Sequence, residues 1–120
     1  MNPIRLTQLE PEFISLSGDR GSFREVENIG DAQGISFLCP ACFEANGGSI
    51  GTHSVICWSR SRGVPDHIEP APGRWAMVGT NFHDLTLNAD LPSTARSVDL
   101  TANGKFPKEW HGFITNGEVT

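Results

Sequence analysis

The chain has too few basic residues to bind nucleic acid by general electrostatic attraction. Lysine and arginine together number 9, against 14 aspartates and glutamates, and the formal net charge is −5. A protein that binds the phosphate backbone regardless of sequence needs a basic face. We therefore expect no nucleic-acid partner, although Arg60, Arg62 and Arg74 leave room for a local basic patch.

Long apolar runs are also lacking. The sequence contains no stretch of the roughly 18 apolar residues that a membrane-crossing helix needs. Residues 1–13 lack the apolar core of a secretory signal. These observations predict a soluble protein that does not associate with membranes. We expect it in the cytoplasm, that is, the cytosol of a cell or of an infected host, or in a virion.

Apolar residues are modest in number and are broken into short runs. They make up 38% of the 120 residues, and 13 glycines and 8 prolines interrupt them. This pattern is typical of strands and loops rather than long helices. We expect one domain over residues 1–120, in which an N-terminal segment (1–34) precedes a β core (35–119). The predicted fold is mostly β, either a small sandwich or a barrel-like domain.

Local patterns suggest individual elements. Strand candidates are IRLTQL, GISFLCP, HSVICW, RWAMVG, HDLTLNADL and RSVDLT. In HSVICW, alternation places Val55 and Cys57 on one face and Trp58 on the other. The segment 25–29 is interpreted as a helical turn. Residues 59–73 form a long polar loop, which in a small domain is usually functional or mobile. The pair Asn116–Gly117 predicts a type I′ hairpin turn.

Two of the three cysteines form a CPAC motif, Cys39 to Cys42, after an apolar run. A CxxC turn directs two thiolates toward one zinc ion, and the second pair of ligands usually comes from a distant hairpin. Pro40 stiffens such a knuckle. Three cysteines do not suit a disulfide framework. Two alternatives stay open: a chance arrangement in a loop, and a redox pair, which calls for a helix directly after the motif. The run FEANGG predicts no helix there.

The remaining thiol and imidazole groups are candidates for the other ligands. His53 and Cys57 lie about 13 Å apart along one predicted strand, so at most one of them binds the ion. His53 is preferred because it starts the strand beside the Gly-rich loop, and Cys57 is the alternative or else a small core residue. His111 opens the final hairpin, where it is either a ligand or a strand cap. His67 and His83 are expected at the surface.

The segments FLCPAC, THSVICW, RWAMVG, LTLNADL and WHGFITNGEV together resemble a family of small phage- and bacteria-encoded proteins of unknown function. Its members have an early CPxC knuckle, a Trp-bearing middle strand and a late (C)H-F-I-x-x-G-x-V hairpin. Some carry the label ammonia monooxygenase, and some are encoded beside ubiquitin-like conjugation genes. The resemblance covers residues 35–119. It implies that Cys39, Cys42 and His111 bind the metal, with His53 as the fourth ligand and Cys57 as its alternative.

The chain differs from this family where a cysteine often precedes the late histidine, because that place holds Trp110. Combined with the β pattern, the resemblance predicts a small β-domain with a zinc knuckle. In that arrangement a structural zinc ion joins the knuckle, Cys39 to Cys42, to the C-terminal hairpin that begins at His111.

Known catalytic motifs are missing from the sequence, which has no HExxH, no HxE…PCxxC pairing, no G-x-S-x-G elbow and no Walker loop. We therefore expect a binding role, and the resemblance implies a phage or prophage accessory protein with a viral or host protein partner. Trp58, Trp75 and Trp110 are either anchors for that partner or core residues. The alternatives are a homo-oligomeric virion protein, such as a decoration or tail-associated module, and a zinc-dependent hydrolase-like enzyme.

Overall fold

A computed structural model describes residues 3–18, 22–68, 74–92, 96–99 and 110–120. Short antiparallel strands dominate it, so the predicted mostly-β class is confirmed. The strands in these ranges are β1 (Ile4–Arg5), β2 (Glu12–Leu16), β3 (Phe23–Val26), β4 (Gly34–Leu38), β5 (Ser54–Trp58), β6 (Met77–Val78), β7 (Thr86–Leu87), β8 (Val98–Asp99), β9 (His111–Gly112), β10 (Ile114–Thr115) and β11 (Glu118–Val119). The helical elements there are α1 (Pro40–Asn46) and 3₁₀-helices at Leu6–Leu9 and Ile29–Asp31. No helix of the described ranges is long and apolar enough to span a bilayer.

The largest sheet has the strand order β3–β2–β4–β5, with antiparallel neighbours throughout. The register places Phe13 opposite Ile35 and Ile35 opposite Cys57, so these three side chains share one face. On the other face Gly34 lies opposite Trp58. A Cβ at Gly34 would come within 2.8 Å of the indole ring, so only glycine leaves room for the tryptophan there.

The main core lies between this sheet and the three smaller sheets, β1–β11–β10, β6–β7 and β8–β9. Residues from all of them meet in one buried cluster that includes Phe13, Ile35, Phe37, Val55, Leu85, Leu87, Val98, Ile114 and Val119. Trp75 and Trp110 belong to the same cluster, and Trp58 is buried on the opposite face of the sheet. The interpretation of the tryptophans as exposed anchors is therefore wrong, and their interpretation as core residues is confirmed.

A second, smaller core covers the other face of the large sheet. Ile14 and Trp58 pack there against Ile68, which comes from the predicted loop 59–73. The described part of that loop, residues 59–68, also contributes the half-buried Val64. The loop therefore completes the fold by burying apolar side chains that the sheet alone would leave exposed.

Three arginines fix this loop to the rest of the chain. Arg62 donates a 2.9 Å hydrogen bond to the carbonyl oxygen of Ala32. Arg60 donates two hydrogen bonds, of 2.8 and 2.7 Å, to the carboxylate of Asp90. Arg74 donates to carbonyl oxygens of the loop itself. The residues named above as a local basic patch thus use their guanidinium groups within the protein.

The C-terminal hairpin packs into the centre of the molecule. Asn116 and Gly117 have φ values of 49° and 73°, which confirms the predicted turn with two positive φ angles between β10 and β11. The N–H of Gly117 donates to the carbonyl oxygen of Leu85 at 2.8 Å, and the N–H of Leu6 donates to the carbonyl oxygen of Gly117 at 2.7 Å. The turn therefore connects the N-terminal segment to the residues before β7.

A carboxylate organises the turn that precedes β7. Asp84 accepts hydrogen bonds from the N–H of Asn81 at 2.9 Å, and from the hydroxyl and the N–H of Thr80 at 2.7 and 2.8 Å. These donors favour the ionised form and lower the pKa of the Asp84 carboxyl to about 2. The carboxylate is thus charged at neutral pH and keeps this turn in one conformation.

Two local predictions near the N-terminus are wrong. The run IRLTQL is not one strand, because the chain turns into the 3₁₀-helix Leu6–Leu9 after β1. Residues three apart align in a 3₁₀-helix, so Leu6 and Leu9 can both enter the core. The segment 25–29 does not form a helical turn, because residues 23–26 pair with β2 as strand β3. In both cases contacts with residues outside the segment decide the local structure.

The run HDLTLNADL is a strand only at its centre. Leu85 and Leu87 are buried as the pattern predicts, but β7 ends at Leu87. Asn88 follows with a φ of 60°, and its carbonyl oxygen accepts a hydrogen bond from the N–H of Leu91 at 3.0 Å. The positive φ of Asn88 ends the extended conformation and turns the chain.

Candidate metal centre

The cysteine motif lies where β4 gives way to α1. Cys39 is the N-cap residue of the helix, and its carbonyl oxygen accepts a hydrogen bond from the N–H of Phe43 at 2.9 Å. Pro40 occupies the first helical position, where its fixed φ is suitable and its missing N–H costs nothing. The helix ends at Gly47, whose φ of 70° is typical of a C-terminal glycine.

This helix corrects one sequence-based inference. The run FEANGG predicts no helix after Cys42, yet these residues continue α1 to Asn46. The helix that a redox pair calls for is therefore present. The flanking strands β4 and β5 are nevertheless antiparallel neighbours, unlike the βαβ unit of thioredoxin-like proteins. The side chains around the two thiols therefore distinguish a metal site from a redox pair.

Strand pairing brings His53 to the cysteines. β4 and β5 pair in a register that sets Leu38 opposite Ser54. The N–H of Cys39 continues this pairing by donating to the carbonyl oxygen of His53 at 2.9 Å. His53 thus lies beside Cys39, just before β5 begins. Its predicted position at the start of the strand is the reason that it reaches the motif.

The three side chains form one compact group. Their ligand atoms, the Sγ atoms of Cys39 and Cys42 and a ring nitrogen of His53, all lie within 4.8 Å of one another. The Sγ atom of Cys42 is 3.4 Å from Nδ1 of His53. Tetrahedral zinc with ordinary bond lengths would place a sulfur and a nitrogen ligand about 3.6 Å apart. The group can therefore hold a metal ion with little movement, and without a metal the same contact is a thiol–imidazole hydrogen bond.

The group lies at the boundary between core and solvent. Cys39 is fully buried, whereas Cys42 and His53 are half-buried. The connection between them, residues 47–52, is held by hydrogen bonds from Asn46 Nδ2 to Thr52 Oγ1 at 3.1 Å and from Thr52 Oγ1 to a backbone carbonyl oxygen at 2.7 Å. Helix, loop and strand together thus fix the positions of the three ligand atoms.

The other candidate ligands lie outside this group. His111 begins β9 with an exposed side chain, and its assignment as a ligand stays a prediction. Cys57 points into the main core from the middle of β5, where burial raises the pKa of its thiol. His67 and His83 are exposed, as predicted.

One feature near the group had no clear signal in the sequence. Ile50 lies in the loop between α1 and β5, and its side chain is 91% exposed. The flanking residues Ser49 and Gly51 are small and leave it prominent. The sequence GGSIGT shows one isoleucine among small residues, but only the structure shows that its side chain is exposed to solvent.

The chain matches no protein-family model, no curated protein and no solved structure.

Proposed function

We propose that Cys39, Cys42 and His53 bind one zinc ion and that this ion stabilises the fold. The observation that carries the proposal is the convergence of their three ligand atoms within 4.8 Å. Two thiolates and an imidazole favour zinc over calcium or magnesium, which prefer oxygen ligands. The ion would link the start of α1 to the start of β5.

A structural ion suits the composition of this chain. Only 38% of the residues are hydrophobic, and many strands of the described ranges have two residues. Elements this short contribute few contacts each, so a metal crosslink adds stability that the core does not supply. The loop 47–52 in particular lies between two of the ligands and has few apolar residues of its own.

Metal content tests this proposal directly. Protein purified without chelator or nickel resin is expected to contain about one zinc ion per chain by inductively coupled plasma mass spectrometry. His53→Ala should lose the ion or retain it more weakly, because one of the ligands is removed. His83→Ala, which changes an exposed histidine outside the group, should keep a full equivalent. Full zinc in His53→Ala, or none in the wild type, would contradict the proposal.

We further propose that the domain is a phage or prophage accessory protein that binds another protein. The resemblance of its CPxC and C-terminal segments to phage and bacterial proteins supports the origin. The exposed isoleucine supports the binding role, because a side chain of this type gains free energy when a partner removes it from water. Ile50 is the most exposed of the large hydrophobic side chains in the described ranges; the others are Phe23, Val78 and Phe113.

The partner hypothesis predicts a defined loss of binding. Affinity capture from host cells, followed by titration of the purified partner, should show at least tenfold weaker binding for Ile50→Ser, because burial of one large aliphatic side chain contributes about 1.5–3 kcal/mol. Val78→Ser removes another exposed aliphatic side chain and serves as the control. Equal affinities of wild type and Ile50→Ser would exclude this loop as the contact.

A further inference from the structure

The chain supplies three ligands to the proposed ion from its cysteines and histidines. All three cysteines and all four histidines fall within the described ranges, so each thiol and imidazole can be placed. The group contains Cys39, Cys42 and His53. Cys57 follows His53 by four residues, a separation of about 13 Å in an extended chain. His111 is exposed on β9 and is not part of the group.

The nearest carboxylate in the sequence points away from the group. Glu44 follows Cys42 by two residues on α1. Successive helical residues turn by about 100°, so the side chains of Glu44 and Cys42 leave the helix on nearly opposite sides. Glu44 is accordingly exposed, whereas Cys42 is half-buried against the core. The helix therefore brings one thiolate to the ion without bringing the carboxylate.

Zinc in proteins takes four ligands, and structural sites usually draw all four from cysteine and histidine. Sites that keep one position for an outside molecule have three protein ligands, and two cysteines with one histidine is a known set of this kind. The group here has that composition. Cys42 and His53 are half-buried, whereas Cys39 is fully buried, so the group lies close to the protein surface.

We infer that the fourth coordination position of this ion, which no Cys, His, Asp or Glu of the described ranges fills, accepts a donor from outside the chain, of the monodentate anionic class and preferably a thiolate. This inference rests on the proposed zinc site. Zinc is borderline-soft and binds thiolate sulfur readily, so a third thiolate is a suitable donor for this position. A small thiol, or a cysteine of another protein, has the chemistry to fill this position.

Substitution of cobalt(II) for zinc allows ligand binding at the fourth position to be measured, because the absorption of the cobalt ion depends on the number of bound thiolates. Titration of the anaerobic cobalt protein with 2-mercaptoethanol should raise the thiolate-to-cobalt absorption saturably by about 1.5-fold, in proportion to a change from two thiolates to three. Cys57→Ala should behave like the wild type, since Cys57 lies outside the group.

Each other outcome has a distinct meaning. A cobalt spectrum that the thiol leaves unchanged would overturn the open position but keep the metal site. A cobalt spectrum that changes in His111→Ala before any thiol is added would also overturn it, by showing that His111 is the fourth ligand. No cobalt absorption in the wild type would overturn the proposed zinc site and the inference with it.

Discussion

Cys39→Ser is expected to lower the free energy of unfolding of the zinc-loaded protein by about 4 kcal/mol, an effect of the size seen when a structural metal is lost. The serine hydroxyl is not a zinc ligand at neutral pH, so the variant should bind the ion weakly. Urea unfolding followed by tryptophan fluorescence measures the difference. In the presence of a chelator both proteins lack the ion, and the difference should shrink to about 1 kcal/mol, the cost of a buried hydroxyl.

Cys57→Ser is a matched control for this prediction. It makes the same chemical change at a thiol that is equally buried, 1% exposed against 0% for Cys39, but that lies outside the group. Its cost should be the same with and without chelator. If chelator fails to reduce the cost of Cys39→Ser, the ion does not stabilise the fold through this residue.

The parts of the candidate site that the sequence predicts are those that depend on local spacing. The CPAC motif places two thiols within one turn, and alternation in HSVICW separates His53 from Cys57 by four residues. Both patterns survive in the structure, where His53 joins the group and Cys57 enters the core. Local spacing thus implies that only one of the two joins the motif, and the pairing of β4 with β5 brings His53 to it.

The run FEANGG does not predict helix α1, because Gly47 and Gly48 follow the cysteine motif so closely. Gly47 and Gly48 do break the helix, but they do so after seven residues that already form it. The N-terminal Pro40 and the capping glycine are helix boundaries, and the residues between them include two alanines that favour helix. For a helix of seven residues, the proline at its start and the glycine after its end indicate the helix better than the glycine content of the segment does.

The contact of the loop 59–73 with the large sheet has no signal in the sequence. Ile68 meets Ile14 and Trp58 across the sheet, yet no local pattern in the polar loop 59–73 singles out Ile68. The roles of the arginines in this region are not evident from the sequence either. An arginine that donates to backbone carbonyl oxygens has the same sequence signal as one that binds a ligand. Only the folded arrangement shows that this loop covers a sheet face.

The turn of the C-terminal hairpin is predicted from a local signal, and in the structure it also forms hydrogen bonds to residues distant in sequence. Asn116 and Gly117 predict the turn. The position of the hairpin is explained by hydrogen bonds, without a zinc ion that anchors it. Backbone hydrogen bonds from Leu6 and to Leu85 hold Gly117, and Asn116 N–H donates to the hydroxyl of Thr86 at 3.0 Å. The turn thus connects three parts of the chain, so a change there should affect the whole fold.

Gly117→Ala is accordingly expected to destabilise the protein by about 3 kcal/mol, from two causes. Its φ of 73° disfavours any residue with a Cβ, at a cost of about 1 kcal/mol. The new methyl group would also come within 2.5 Å of the carbonyl oxygen of His83 and 2.6 Å of that of Phe82. These are backbone atoms fixed by the turn around Asp84, so relieving the clash costs about 2 kcal/mol more. Urea unfolding at saturating zinc measures the total.

Gly63→Ala separates the two causes. Gly63 has a similar φ of 81°, but a Cβ there would lie 3.6 Å from the side-chain nitrogen of Gln33, an ordinary contact with the end of a flexible group. This variant should therefore lose only about 1 kcal/mol. A clearly larger loss in Gly117→Ala assigns the difference to the packing of the hairpin turn against residues 82–83. Equal losses would show instead that backbone conformation alone sets the cost, and that the turn can move away from its neighbours.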